Sequence, residues 1–525
     1  MNFQILDELE WVFEDSKVSP AGAKAAELAA PRGGYASFLV ITDAPPMSKV
    51  SVSFSGDKSL GQPDAYVLHT SPVEENSGWK GFTNWEPQME SQVTRRAPFR
   101  VFDAMRPVDA APVRDEKLLV ILVQFPISGD AKPGKKSGTV SITANNEAAS
   151  VPVTVEVFSA SVAKRETLKV TNWFSVPNIA ERHGLKPWSQ EHWAMVEKYG
   201  RLMRKARQNM FWLSGMVEGK KDEKGVWKFD FSKAVALIEM YSKLGFKYLE
   251  GPHLGGCKKW GDSEIYLALD KEQRPGTPEG YAGLAAFLKE WGELLRKRKW
   301  IGKYYQHISD EPTPGAQADY QTMACAVRKF LPGVPIIDAV EFPNLAAAVD
   351  VWVPKSDQYE KDRAIYESHR SLGGEIWHYT CCVPGGPHMN RFLDFHLLRT
   401  RFLHWGNYLY DLKGYLHWGL NHWQPKQNPF EMSIIPWGGT NKLPAGDTHI
   451  VYPGSDGPWS SVRFEAMRSG IEDYELFLLA EERVGREKAL VILRKCVQSF
   501  HEFSQDVPNF RKAYRELLAA ASGKR

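Results

Sequence analysis

Cysteine is scarce in this chain: five residues in 525, at Cys257, Cys325, Cys381, Cys382 and Cys496. They are too few and too scattered for a disulfide framework, and the one close pair, Cys381–Cys382, lacks the CxxC spacing of zinc or redox sites. Free thiols are expected. Long apolar runs are missing too. The longest, Leu118 to Phe125, is interrupted by Gln124 and has the length of a strand, well short of the roughly 20 residues that span a bilayer. Neither charge dominates: 66 basic against 63 acidic residues leave +3, with no basic block. That excludes a nucleic-acid arm and a polybasic membrane patch. No Walker loop, HExxH, GxSxG or dinucleotide fingerprint sits in its required context. Repeats and low-complexity segments are absent. The opening segment, MNFQILDELEWVFEDS, has neither the basic nor the apolar region of a secretion signal. The compartment stays open: cytoplasmic, or secreted or periplasmic after removal of a signal.

What is present is globular composition, 43% hydrophobic, 25% charged and 12% aromatic, in a chain too long for one core. Residues 1–164 carry short runs such as YASFLVITD (35–43), GTVSITA (138–144) and SVPVTVEVFS (150–159). Their period-two alternation predicts a β-sandwich, with 72–97 and 126–137 as longer loops. Over 165–482, strand-like segments alternate with amphipathic ones in roughly eight βα steps, the rhythm of a (β/α)₈ TIM-type barrel. A doubly wound sheet is the alternative, but TNWFSVP (171–177) lacks the Gly-rich turn expected after its first strand. Residues 483–525 read as a C-terminal helical extension.

In such a barrel the working residues lie at the C-terminal ends of strands. The fourth strand ends in His307-Ile308-Ser309-Asp310-Glu311-Pro312. Adjacent carboxylates there can serve two parts of one ligand, and burial with mutual repulsion raises the pKa of at least one. Asp310 as a helix cap and Glu311 as a solvated side chain fits the spacing equally well. Tryptophan tilts the balance. Six of the 18 lie between Trp377 and Trp459, several among Asn, His and Gly, as in His417-Trp418-Gly419-Leu420-Asn421-His422-Trp423. Indoles mixed with amide and imidazole donors suit a pyranose, which has an apolar C–H face and a hydroxyl rim. The histidines show no metal-ligand spacing, so neither metal nor cofactor is expected. Arg463, Glu465, Arg468, Glu472 and Asp473 read as structural ion pairs.

The motifs HISDEP (307–312), WHYTCC (377–382), YLHWGLNHW (415–423) and VYPGSDGPWSSVRFEAMRSGIEDYE (451–475) together resemble glycoside hydrolase family 123, exo-acting β-N-acetylgalactosaminidases, over about residues 166–480. The resemblance implies a retaining, substrate-assisted mechanism in which the sugar's own 2-acetamido oxygen attacks C1. Asp310 would orient the acetamido N–H, and Glu311 would act as acid and then base. Tyr379 would donate to the acetamido carbonyl. Alternation of the strand puts Trp377 beside it. Trp418, Asn421 and Trp423 would contact the sugar, His307 would tune Glu311 or hold a hydroxyl, and Trp173 ends the first strand. The implied partner is a glycan or glycoconjugate with terminal β-linked N-acetylgalactosamine. A retaining glycosidase of other specificity, or a barrel that binds carbohydrate without hydrolysing it, stays open, as do the hexosamine and the oligomeric state.

Overall fold

The computed structural model describes residues 1–523 except 47, 343, 344 and 346. The first 161 residues are rich in strand because their apolar side chains alternate. In Glu147–Ser161, Val151, Val153, Val155 and Val157 point inward while Ser150 and Pro152 face solvent. Two sheets result. One has seven strands in the order Phe3–Asp7, Tyr35–Thr42, Leu119–Pro126, Asp64–Val73, Phe99–Pro107, Pro458–Ser461, Tyr452–Pro453. The other has four: Ala26–Arg32, Glu147–Ser161, Gly134–Ala144, Val50–Gly56. Phe38, Val40, Ile121 and Val123 of the first share an apolar cluster with Phe54, Val140, Ile142 and Val153 of the second.

Leu119–Pro126 explains the one long apolar run. Leu119, Ile121, Val123 and Phe125 face the other sheet, whereas Val120 and Leu122 belong to the large core of the remaining chain. A strand buried on both faces cannot alternate. Gln124 is accommodated because its amide bonds Ser37 Oγ (3.3 Å) and Glu465 Oε2 (3.1 Å).

Two strands reach this sheet from the far end of the chain. Ser460 and Ser461 pair antiparallel with Met105 and Ala104. Helix Val462–Val484 follows directly, capped by Ser461 Oγ on Phe464 N, and is buried over most of its length. Its charges are paired: Arg463 with Asp103 (2.9 Å), Asp473 with Arg401 (2.8 Å), Glu472 with Arg207 (3.1 Å), and Arg468 with Glu465. Buried charges are tolerated only when paired in this way. Helix Val507–Ala521 packs on it through Phe510, Tyr514 and Leu517.

Between these parts lie short parallel strands alternating with helices. Their ladders form three separate three-stranded sheets: Lys169–Asn172, Gly414–His417 and His378–Tyr379; Met210–Trp212, Tyr248–Glu250 and Tyr304–Tyr305; Ile337–Asp338, Val351–Trp352 and Glu375–Ile376. The chain is therefore mixed α/β with a sheet-rich N-terminal region, and the ladders do not close into one barrel sheet. Single parallel bridges, Gln306 with Ile336 and Lys355 with Tyr379, lie between sheets. The ladders stop because buried polar side chains take over the backbone groups. Asn209 bonds Val170 N (2.9 Å) and Leu168 O (2.9 Å), and Asp338 Oδ2 accepts from Ile308 N (2.8 Å) and Ser309 N (3.4 Å).

Candidate active site

The strand Tyr304–Tyr305 continues into Gln306–Pro312, where bonds from Asp338 replace strand pairing. Glu311 has φ = +36°, a region that a non-glycine residue occupies only when its surroundings hold it there. Two constraints do so. Asp338 fixes the backbone at Ile308 and Ser309, and the Tyr379 hydroxyl donates a short hydrogen bond to Glu311 Oε1. The turn aims Asp310 and Glu311 into one cavity of about 470 Å³, a size that suits a small ligand.

A charged layer lies beneath the pair. His307 Nδ1 bonds Asp338 Oδ1 (2.7 Å) and its Nε2 bonds Glu250 Oε1 (2.9 Å). Burial alone would lower its pKa, but the two carboxylates push it up to about 10, so His307 is an imidazolium. Glu250 also accepts from Trp173 Nε1 (2.9 Å) and Thr171 Oγ1 (2.6 Å). The Tyr320 hydroxyl bonds Asp338 Oδ2 (2.5 Å).

Above this layer, burial and the charges of Glu311 and Asp338 push Asp310 up to about 8, with His307 opposing. Burial also raises Glu311, against the pull of Lys355 and the Tyr379 bond. Two half-buried carboxyls side by side disfavour double ionisation. Tyr379 is held well above the ordinary phenol range by burial and by Glu311, so it remains a donor. Its hydroxyl also lies 3.4 Å from Glu341 Oε1, and Glu341 is ion-paired with Lys355.

The walls are aromatic. Trp173 and Trp212 stack with centroids 4.4 Å apart. Trp418 also lines the cavity, its Nε1 3.3 Å from Asp447 Oδ1. Beside it, His422 is pulled down to about 4 by burial and by Arg391, which leaves it neutral. Of the residues singled out by sequence, Asp310, Glu311, Tyr379, Trp418 and Trp173 line the cavity, and His307 supports it from below. Trp377, Asn421 and Trp423 do not line it. Trp377 does share the interior with Tyr379, as alternation requires, but is fully buried with its Nε1 on Glu375 (2.6 Å). Trp423 belongs to the main core. Asn421 clamps Ser175, accepting from its N (2.8 Å) and donating to its O (3.1 Å). Asn421→Ala should therefore cost about 1–3 kcal/mol of stability, visible in thermal unfolding rather than in ligand affinity.

Glu341, Lys355, Trp212, His422 and Phe82 also line the cavity without having been anticipated. Glu341 and Lys355 follow the strands containing Ile337–Asp338 and Val351–Trp352, so the strand-end rule that selected Asp310 would have found them. Phe82 had no such signal. It comes from the N-terminal region, where its N bonds Cys382 O (3.1 Å). A Cβ on neighbouring Gly81 would come within 2.0 Å of that same oxygen, so only glycine lets this loop approach.

Among the described residues, two groups gather three potential metal ligands each: His253, His307 and Asp338, and Glu360, His388 and His501. None of the six lines the cavity. In the first, both His307 nitrogens are committed to carboxylates. In the second, Glu360 already accepts from Tyr410, Phe500 and His501.

Paired carboxyls under an aromatic-walled cavity define a carbohydrate-cleaving type of site, and the comparisons with known proteins identify the class as glycoside hydrolase. The family profile "Glycoside hydrolase 123, catalytic domain" matches residues 173–480, more than half of the chain, and the protein belongs to glycoside hydrolase family 123. Among solved structures, a family 123 glycoside hydrolase from Clostridium perfringens, studied for glycolipid glycan hydrolysis, superposes with a TM-score of 0.74 at 15% identity, covering 99% of this chain and 97% of that one. An Ig-like-domain-containing GH10 xylanase from termite gut gives a TM-score of 0.35 at 12% identity over 86% and 99% of the two chains, too low to define a common fold. No curated protein matches the sequence. No helix among the described residues is long and apolar enough to cross a membrane.

Proposed function

We propose that the protein is an exo-acting retaining glycosidase that releases terminal β-linked N-acetylgalactosamine by substrate-assisted catalysis. The observation carrying this reading is the adjacent Asp310–Glu311 pair on one wall of the cavity, with Glu311 bonded to Tyr379. Neighbouring carboxyls on one turn suit two contacts to the same sugar face, an acetamido N–H and the glycosidic oxygen. In the empty site burial favours the protonated form of both carboxyls. An arriving acetamido N–H favours ionised Asp310 and leaves the proton on Glu311, which then protonates the leaving oxygen. The acetamido oxygen attacks C1 as the C1–O bond breaks, giving an oxazolinium. Glu311, now a carboxylate, deprotonates the water that opens it. Tyr379 would turn from Glu311 to the acetamido carbonyl as substrate enters. In the same reading, residues 1–164 form a β-sandwich, the three parallel sheets and their bridges are the parts of a (β/α)₈ barrel over 165–482, and 483–525 is a helical extension.

One observation favours a second reading. Glu311 and Glu341 both contact the Tyr379 hydroxyl, so two carboxylates face one part of the cavity, as acid and nucleophile do in a conventional retaining glycosidase. Glu341 is then the nucleophile, and no acetamido group is required. Matched β-aryl glycosides of N-acetylgalactosamine, N-acetylglucosamine, galactose and glucose separate the two. Substrate assistance predicts turnover of 2-acetamido sugars alone and competitive inhibition by a thiazoline analogue. Turnover of plain galactoside or glucoside, abolished in Glu341→Gln, would replace it with the conventional mechanism.

A further inference from the structure

The chain contains 18 tryptophans, 19 tyrosines and 26 phenylalanines. Among the described residues only two of these rings are exposed, Trp260 at 65% and Trp437 at 43%, and both line the cavity that holds Asp310 and Glu311. A protein that buries or half-buries every other aromatic ring, yet leaves two indoles open at one mouth, has a use for them there. Each sits near the tip of a short hairpin: Gly255–Gly256 with Tyr266–Leu267 for Trp260, and Ile435–Pro436 with Lys442–Leu443 for Trp437.

The tips are built to hold their positions. Beside Trp260, Gly261 turns at φ = +89°, Asp262 Oδ2 accepts from Lys259 N (2.9 Å), and Asp262 O accepts from Thr313 Oγ1 (2.9 Å). That last bond hangs the hairpin from a residue two positions past Glu311, on the side of the acid. At the other tip, Trp437 N bonds Asn441 O (2.7 Å) across Gly438 and Gly439, both at positive φ. Asn441 accepts from Asn84 (3.2 Å), and Lys442 pairs with Glu75, so the N-terminal region braces this hairpin as it braces Phe82.

We propose that Trp260 and Trp437 form the leaving-group subsite, binding the pyranose that precedes the terminal sugar by stacking on its C–H face. The inference rests on the proposed glycosidase reading and deepens it: the preferred substrate is a chain of at least two sugars, and recognition of the second ring is aromatic. The placement follows from chemistry. The acid must face the glycosidic oxygen, and the two indoles are the solvent-exposed rings of the cavity that holds it, so a departing sugar meets them on its way to solvent.

The test compares Trp260→Ala, Trp437→Ala and the double variant with wild type on two substrates that differ only beyond C1. One is the β-fluoride of N-acetylgalactosamine, whose leaving group is too small to reach the hairpins. The other is a β-N-acetylgalactosaminyl disaccharide with a free reducing end. The expected result is that kcat/KM on the disaccharide falls at least about tenfold more than on the fluoride, mainly through KM. Equal changes on both substrates, or none, would overturn the proposal. If the disaccharide is insensitive and only a lipid-linked glycan loses, the indoles bind an alkyl chain and the pyranose assignment fails. Calorimetric titration of disaccharide against monosaccharide stays informative even if wild type turns over neither. Tighter disaccharide binding that the double variant loses supports the subsite, and equal binding of the two sugars removes it.

Discussion

Replacing Glu311 by glutamine reduces hydrolysis of glycosides with poor leaving groups by roughly 10²–10⁴-fold, the range a positioned acid contributes, while activated aryl glycosides lose much less. Gln keeps the shape of the side chain and can still accept from Tyr379, so the strained turn at φ = +36° has the same partners and the loss reports proton donation. The pH profile gives an independent signature. The acid must be protonated, and burial raises the Glu311 carboxyl above its ordinary value, so wild-type kcat/KM falls as pH rises through that raised pKa. Glu311→Gln on an aryl substrate lacks that limb. Side-by-side kcat/KM values for an aryl glycoside and an alkyl glycoside decide the matter; equal loss on both would take Glu311 out of the acid role.

Asp310→Asn is expected to lower kcat by roughly 10²–10³-fold, the usual consequence of deleting one group that stabilises developing charge, with a smaller change in ground-state binding. The same substitution should stabilise the fold. Burial and the charge of Glu311 raise the folded-state pKa of Asp310 far above the ordinary carboxylate value. An acid whose folded pKa is raised stabilises the fold when protonated, and that stability is lost as pH rises from the ordinary carboxylate range toward about 8. Asparagine has no such titration. The variant should gain about 0.5–2 kcal/mol near neutral pH, a typical function-for-stability exchange, and the gain should shrink in acid. Thermal unfolding of both proteins across pH 5 to 8 (roughly the window these values define) checks the sign. A variant that is inactive and also less stable would mean that Asp310 holds the turn rather than the substrate.

The sequence was most legible where one physical rule governs a segment. Alternation located strands such as Gly134–Ala144 and Glu147–Ser161, and amphipathic spacing located helices such as Gln190–Lys205 and Pro278–Lys297. It was least legible where buried polar groups do the organising. Helix Leu397–Leu409 follows a stretch in which Asn390, Arg391 and Asp394 are buried and spend their side chains on Pro384, Asn172 and Ser77, bonds that no local pattern announces. Within the candidate site, the strand-end rule picked out Asp310 and Glu311 and the family resemblance picked out Tyr379, all three on the cavity lining. The resemblance also offered Asn421 as a sugar contact, since an amide between tryptophans looks alike whether it clamps Ser175 or binds a ligand. Phe82 was beyond reach for another reason: its contact with Cys382 spans 300 residues, and local sequence carries no trace of it.

The strand Pro458–Ser461 adds a consequence for how such proteins can be inherited. It lies on Phe99–Pro107 and opens directly into helix Val462–Val484. Cutting the chain near residue 164 would leave that strand without its neighbour, a bare edge ready to pair with any passing chain, beside an Arg463 stripped of Asp103. The carboxyl-bearing half is therefore not a portable cassette. Gene fusions can append modules to either end, but recombination between the two halves is penalised, and both must descend as one unit.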